Sequence, residues 1–140
     1  MTNYDVDVSK IENEVKNIID VCDDLIQQEN FSELKKYYAE DAVLVVKPDM
    51  FVQGSENIAV AFKKIASYFK NSLKPVEGEM RFLIAGDTVL VLAQTFIQAS
   101  TEALETSEYS SERRATYVFK KIDDSWVCAI DNSYGTSLLD

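Results

Sequence analysis

The sequence predicts an α+β fold: a cone-shaped, strongly bent antiparallel sheet with N-terminal helices packed on its concave face. Two observations predict it. Apolar residues recur at helical spacing through the first half of the chain, and from Pro75 onward the pattern changes to period two. Tight-turn signals, Gly86-Asp87 and Asp123-Asp124-Ser125, separate the later runs. A strongly bent sheet closed by a helix encloses a hollow, where a small ligand could sit. At 140 residues the chain fits one domain, residues 1–140, with 1–8 and 136–140 as tails. Folding at this size buries roughly 70% of the unfolded surface, enough for a core without staples.

The elements follow in order. Ser9-x-x-Glu12 has the form of a capping box, and Ile11, Val15, Ile18, Cys22 and Leu25 then recur at spacings of 4, 3, 4 and 3, predicting a helix to about Gln28. A short second helix follows Asn30, with Asn30 and Glu33 as a capping pair and Leu34, Tyr37 and Tyr38 as apolar contacts. Ala42–Val46 is an unbroken apolar run with three valines, a short buried strand. Lys47–Gln53 reads as a loop with Met50 and Phe51 at its tip, either a lid over the cone mouth or a dimer contact. Gly54-Ser55 opens a third helix whose buried face is Ile58, Phe62, Ile65 and Phe69. Val76, Gly78, Met80, Phe82 and Ile84 then alternate with Glu77, Glu79, Arg81 and Leu83 as a strand. Thr88–Ser100 is a long strand, Thr101–Ser111 a polar loop or frayed hairpin end, and Arg113–Ile122 and Trp126–Asn132 the last two strands. Tyr134, Leu138 and Leu139 punctuate the tail.

Composition narrows the chemistry. Apolar residues make up 46% and charged residues 27%, the balance of an ordered globular chain. The 24 acidic and 14 basic residues leave a net charge of −10, which argues against nucleic acid or an anionic membrane as partner. There is no histidine, which excludes histidine-based nucleophile pairs, histidine-ligated metals and a histidine general base. Cys22 and Cys128 form no CxxC, and two lone cysteines suit a reducing compartment. Met1–Asp7 lacks the basic and apolar regions of a signal peptide, and no apolar run reaches a membrane span of roughly 20 residues. A cytoplasmic location is the default expectation. No P-loop or GxGxxG occurs, so no cofactor is expected.

The segments YYAEDAVLVV, VQGSENIAVAF and RRATYVFKKIDDSWVCAIDNSYGTSLL together resemble the SnoaL-like branch of the nuclear transport factor 2-like superfamily. That superfamily includes ketosteroid isomerase, limonene epoxide hydrolase, polyketide cyclases and the association domain of calcium/calmodulin-dependent kinase II. The resemblance covers about residues 9–135 and rests on segments that are diagnostic in combination. It implies the cone-shaped cystatin-like fold, commonly a homodimer through the outer sheet face, and no single activity. The known sites are incomplete in this chain. The place of the ketosteroid isomerase base falls near Val46. The arginine and aspartate of limonene epoxide hydrolase fall at Ala93 and Thr95, and the pocket arginines of the kinase association domain at about Thr95 and Tyr117.

With those alignments, Ala93, Thr95 and Ile97 share the pocket side of one strand, Ala115, Tyr117 and Phe119 that of the next, and Asp131 lies with Val127 and Ala129 on the last. Asp131 is the leading candidate for chemistry, because a carboxyl in an apolar cone has a raised pKa and could trade a proton with substrate. Otherwise it caps the tail or accepts backbone hydrogen bonds. Tyr117 could donate to a carbonyl or developing oxyanion, or serve as a core aromatic. Tyr38 is similar. Thr95, Ala93, Ile97, Phe62 and Phe119 complete a ligand-binding lining. Cys22 and Cys128 read as buried and inert, with Cys128 alternating with Trp126 and Ile130. Arg113-Arg114 could hold an acidic ligand or form cross-strand ion pairs. Glu102, Glu105 and Glu108 read as a solvated loop without the oxygen density of a calcium site.

The expectation is a homodimeric domain that binds a small hydrophobic molecule, carbonyl-bearing in one version. Asp131, assisted by Tyr117, would perform isomerase-, cyclase- or hydrolase-type proton transfer. The rival is a non-catalytic association module. Cavity volume discriminates them: side chains of Phe62, Phe119 and Tyr117 could fill the cone, whereas an open cavity of a few hundred Å³ would favour binding.

Overall fold

The computed structural model describes residues 3–47, 49–107 and 111–133, with side chains from residue 8 onward. Glu108 and the tail residues Tyr134, Leu138 and Leu139 lie outside the described residues.

The first helix, α1 (Asn3–Gln28), starts six residues before Ser9 and takes in most of the expected N-terminal tail. Ser9 is therefore interior, and the capping box does not form. The buried line runs through Val15, Ile19 and Ile26, flanked by half-buried Ile18, Cys22 and Leu25. The helix ends without glycine. Glu29 adopts a left-handed φ of 58°, Glu29 N donates to Ile26 O, and Asn30 N donates to Leu25 O, a Schellman closure. Asn30 makes no side-chain cap, so the expected capping pair with Glu33 is absent. The second helix is one turn, α2 (Phe31–Leu34), followed by a 3₁₀ turn over Lys35–Tyr37. Tyr38 already belongs to β1 (Tyr38–Lys47).

Met50–Gln53 is a strand, β2, hairpinned to β1 rather than a loop. Gly54, at φ 94°, turns the chain into α3 (Ser55–Tyr68), which buries Ile58, Phe62 and Ala66. That helix closes like α1, with Lys70 and Asn71 left-handed, and Asn71 Nδ2 donates to Glu29 Oε1, tying the two helix ends together. Strands β3 (Lys74–Ala85) and β4 (Thr88–Gln98) follow. The expected loop after them contains a short helix, α4 (Thr101–Thr106), capped by Ser100 Oγ accepting from Ala103 N. Strands β5 (Glu112–Ile122) and β6 (Ser125–Asn132) complete the sheet.

The sheet order is β2-β1-β6-β5-β4-β3. All ladders are antiparallel except β1–β6, so the sheet is mixed. Strands β3 to β6 form the meander that period-two patterning foretells. The chain's helical half delivers β1 to the free edge of β6, and there it runs parallel. The open, curled sheet holds α1 and α3 on its concave side, with α1 packed mainly on β3 and α3 on β1. Trp126 Nε1 donates to Glu14 Oε2 and joins β6 to α1.

Two β-bulges reset the alternation. Between the pairs Glu77–Thr95 and Met80–Ala93, two residues of β3 (Gly78, Glu79) face one of β4 (Gln94). Glu77 therefore joins Met80, Phe82 and Ile84 on the inner face, where a strict period of two would send it outward. Between the pairs Val118–Ile130 and Phe119–Cys128, Ala129 is the extra residue. Asp131 thus shares the inner face with Cys128 and Trp126, both buried, and not with Val127 and Ala129 as expected.

On the outer face one register row is apolar across five strands: Leu83, Leu90, Val118, Ile130 and Val43. Leu83 is 52% and Ile130 43% exposed.

Candidate functional site

The hollow of the sheet is a cavity of about 90 Å³, walled by α1, β1, α3 and β3–β6. Tyr38, Phe62, Thr95, Ile97, Tyr117, Phe119 and Asp131 line it. Ala93 does not; it packs deeper, in the core opposite Met80 and Ala115. Aromatic side chains take up much of the cone, Tyr38 and Phe62 standing with ring centroids 6.2 Å apart. The remaining space is well below the few hundred Å³ of a roomy ligand site. It adjoins a second, larger cavity of about 480 Å³ between α3 and the β1–β2 hairpin. Ile65, Phe69, Arg113 and Ser133 line both. Met50 borders the larger cavity and not the cone.

The polar groups of the cone fall into two sets. Asp131, 5% exposed, lies beside Tyr117 on β5 and Leu44 on β1 in the sheet. Tyr38 Oη donates to its Oδ2 at 2.6 Å, and Ser133 Oγ donates to its Oδ1. Burial pushes the Asp131 carboxyl up, against the opposing pull of those two hydroxyls and of the Arg113 guanidinium. Arg113 is itself anchored by donating to Ser133 O at 2.8 Å.

The second set joins the expected Thr95 and Tyr117 to two carboxyls that were not foreseen, Glu77 and Asp23. Glu77 faces the cavity from β3, and its Oε1 accepts from Thr95 Oγ1 at 3.1 Å and from Tyr117 Oη at 3.4 Å. Thr95 Oγ1 and Tyr117 Oη are 3.2 Å from each other. Asp23 of α1 lines the same cavity, its carboxyl near that of Glu77. Burial pushes both carboxyls up; Glu77 and Asp131 push Asp23 further the same way, whereas for Glu77 the Asp23 carboxyl and the Thr95 and Tyr117 hydroxyls pull back down against burial and the Asp131 charge. Tyr117 therefore serves Glu77, and it is Tyr38 that serves Asp131. Burial also raises both phenols, which stay protonated donors, and both cysteine thiols, which stay unreactive.

The sequence held a signal for Glu77 in Gly78, the bulge residue beside it. A Cβ there would stand 2.8 Å from Gln94 Oε1 and 3.0 Å from the Phe96 ring. For Asp23 the signal was its place beside Cys22 on the buried stripe of α1. Among the described residues no cluster of acidic or cysteine side chains is arranged to hold a metal ion. No described helix is long and apolar enough to cross a membrane.

The sequence matches the SnoaL-like domain family over residues 15–130. Solved structures share the fold. A nuclear transport factor 2-like protein with a cystatin-like fold from Novosphingobium aromaticivorans superposes with a TM-score of 0.74 at 15% identity, covering 99% of this chain and 93% of that one. Aln2 from a Streptomyces species gives 0.76 at 12% identity, covering 88% and 89%. A candidate scytalone dehydratase from N. aromaticivorans gives 0.66 at 13% identity, covering 91% and 85%. No curated protein matches the sequence.

Proposed function

The chain belongs to the SnoaL-like domain family, and from that premise we propose that it binds a small, largely apolar, carbonyl-bearing molecule and moves a proton on it with Asp131. The observation that carries this reading is a carboxyl 5% exposed at the wall of a cavity, with both oxygens held by hydroxyl donors. Such a group is oriented and desolvated, and burial raises its pKa above the ordinary carboxylate value. The cone of about 90 Å³ takes the reacting head, and the adjoining 480 Å³ cavity takes an apolar body past Ile65 and Phe69. Chemistry of the isomerase, cyclase or dehydratase kind needs no more than this: a positioned acid–base group and exclusion of water.

The test uses cyclohexanone as probe. The wild-type protein should bind it, seen by native mass spectrometry, and should speed exchange of its α-hydrogens in D₂O. Asp131→Asn should slow that exchange by about a hundredfold. Exchange no faster with wild type than with Asp131→Asn removes the proton-transfer reading, and absence of the bound ketone removes the binding reading.

The apolar row on the outer face favours a second role, homodimerisation. A self-complementary stripe can pack on its own copy about a two-fold axis. The row Leu83–Leu90–Val118–Ile130–Val43 crosses the sheet nearly from edge to edge, with Arg81, Leu92 and Thr116 in the next row. Such a dimer leaves the concave face and its cavity free. A cytoplasmic site of action accords with the two unpaired cysteines.

A further inference from the structure

We propose that Asp23 and Glu77 share one proton and form a second acid–base group of the cone, an acid that works opposite Asp131 as base. The proposal rests on the reading of the cone as a binding site and adds the second half of its chemistry.

Four observations carry it. First, the Asp23 and Glu77 carboxyls line the same cavity, close enough for each to shift the other's ionisation. Two neighbouring buried carboxyls ionise together only at high cost, so the pair keeps one proton. Second, the oxygens of Glu77 are unequally satisfied. Oε1 receives the Thr95 and Tyr117 hydroxyls, whereas Oε2 is buried and receives no N–H or O–H donor among the described residues. A carboxyl proton on Asp23 turned toward Glu77 gives that oxygen its missing donor, and a buried oxygen left without one costs about 1–3 kcal/mol. Third, the bulge at Gly78 and Glu79 is what turns Glu77 inward. Fourth, both carboxyls line the same cavity as Asp131.

Burial raises all three carboxyls, but their partners differ. Asp131 has a hydroxyl donor on each oxygen and the Arg113 guanidinium nearby, the surroundings of a carboxylate that ionises and accepts. The pair faces Asp131 and Asp20 through space, and no cation is among the groups that shift it, so it keeps its proton. A carboxyl with a guanidinium beside it and a pair without one divide the roles of base and acid.

The substrate class follows. It must offer Asp131 an acidic C–H and offer the pair an oxygen that can take a proton, as an enolisable carbonyl compound does. Asp131 takes the proton from carbon as the C–H bond breaks. The C–H electron pair becomes the carbon–carbon double bond, and the carbonyl π pair forms a new O–H bond with the proton of the pair. Asp131 ends neutral and the pair ends with both carboxyls ionised. Where the enol is conjugated to a second carbon–carbon double bond, returning the pair's proton from the enol oxygen re-forms the carbonyl, the first double bond shifts, and the far end of the second takes the proton from Asp131, which makes an isomerisation. Where the oxygen that takes the pair's proton is a β-hydroxyl, water leaves and the step is a dehydration.

The experiment is a pH titration of the full chain, carboxyl-labelled with carbon-13 at Asp and Glu and read by NMR. Asp23 and Glu77 should titrate together in two separated steps, the upper one above the step of Asp131. Asp23→Asn should collapse this to a single Glu77 step at lower pH, because the Asn amide replaces the shared proton as donor. Independent titration of Asp23 and Glu77 in the ordinary carboxylate range overturns the proposal, as does an unchanged Glu77 curve in Asp23→Asn. Should that variant fail to fold, the infrared band of a protonated carboxyl in the wild type at neutral pH decides, its absence overturning the proposal. In the cyclohexanone exchange assay Glu77→Gln should lose about a hundredfold while still binding the ketone. An unchanged rate refutes the acid role. The titration needs no ligand, so a two-step curve without ketone binding removes the functional reading and leaves the pair, and the converse result does the opposite.

Discussion

Tyr38 and Asp131 are 93 residues apart in sequence and 2.6 Å apart in the cone, on neighbouring parallel strands. Their bond both fixes the carboxyl and offsets part of its burial. Tyr38→Phe leaves one buried oxygen of Asp131 without a donor, and the loss should be about 1–3 kcal/mol at neutral pH in urea unfolding. Asp131 should titrate higher in that variant, since one of the interactions that favour its ionised form is gone. Asp23 is shifted in the same direction as Asp131. Its carboxyl, like that of Glu77, is pushed up in the folded state, so the native protein binds more protons than the unfolded chain. That contribution is fully present below the ordinary carboxylate pKa and is lost as pH rises through the raised folded values. The protein should therefore be more stable at mildly acidic pH than at alkaline pH. Asp23→Asn should flatten the dependence and add on the order of 1 kcal/mol at neutral pH. A steeper alkaline loss in Asp23→Asn would refute this.

At the scale of the element, the bulges decide which side chains the cone contains. Gly78 has room for no Cβ without moving Gln94 or Phe96. Gly78→Ala should cost about 1–3 kcal/mol, and carboxyl NMR should report Glu77 drawn away from Thr95 and Tyr117. The short helix α4 depends on its cap. Ser100→Ala removes the acceptor for Ala103 N and should cost about 1 kcal/mol, with hydrogen exchange rising through residues 101–106. The two long helices end on left-handed Glu29 and Lys70 rather than on glycine. Such ends give no stop signal in the sequence, and the tertiary contact between Asn71 and Glu29 helps hold them.

For the whole molecule, the curled sheet has two apolar faces and the helices cover only the inner one. The outer row through Leu83, Leu90, Val118 and Ile130 should be buried in a dimer of twice the 15.8 kDa chain mass, measured by light scattering after gel filtration. The double variant Leu83→Lys, Ile130→Lys should run as a monomer with its fold intact, because both side chains already point to solvent. A wild-type monomer at micromolar concentration sinks the dimer. The dense negative charge, −10 over 140 residues, predicts that any such dimer tightens as salt screens the repulsion.

The amino-acid sequence alone determined the order of helices and strands apart from β2 and α4, which it read as loops, the buried stripes of α1 and α3 in outline, and the inward Tyr117 and Thr95. These follow from local periodicity, which each segment carries within itself. Asp131 was placed inside by sequence reasoning, though with the wrong neighbours, since the bulge at Ala129 brings Cys128 and Trp126 to its face. Only the tertiary structure decided that β1 runs parallel to β6, that Glu77 turns inward and that Asp23 meets it. One extra residue in a strand reverses every side chain beyond it, and it shows only when the partner strand is in register. Proximity between α1 and β3 is likewise a property of packing, so the pairing of two carboxyls 54 positions apart (77 − 23) had no local signature to read.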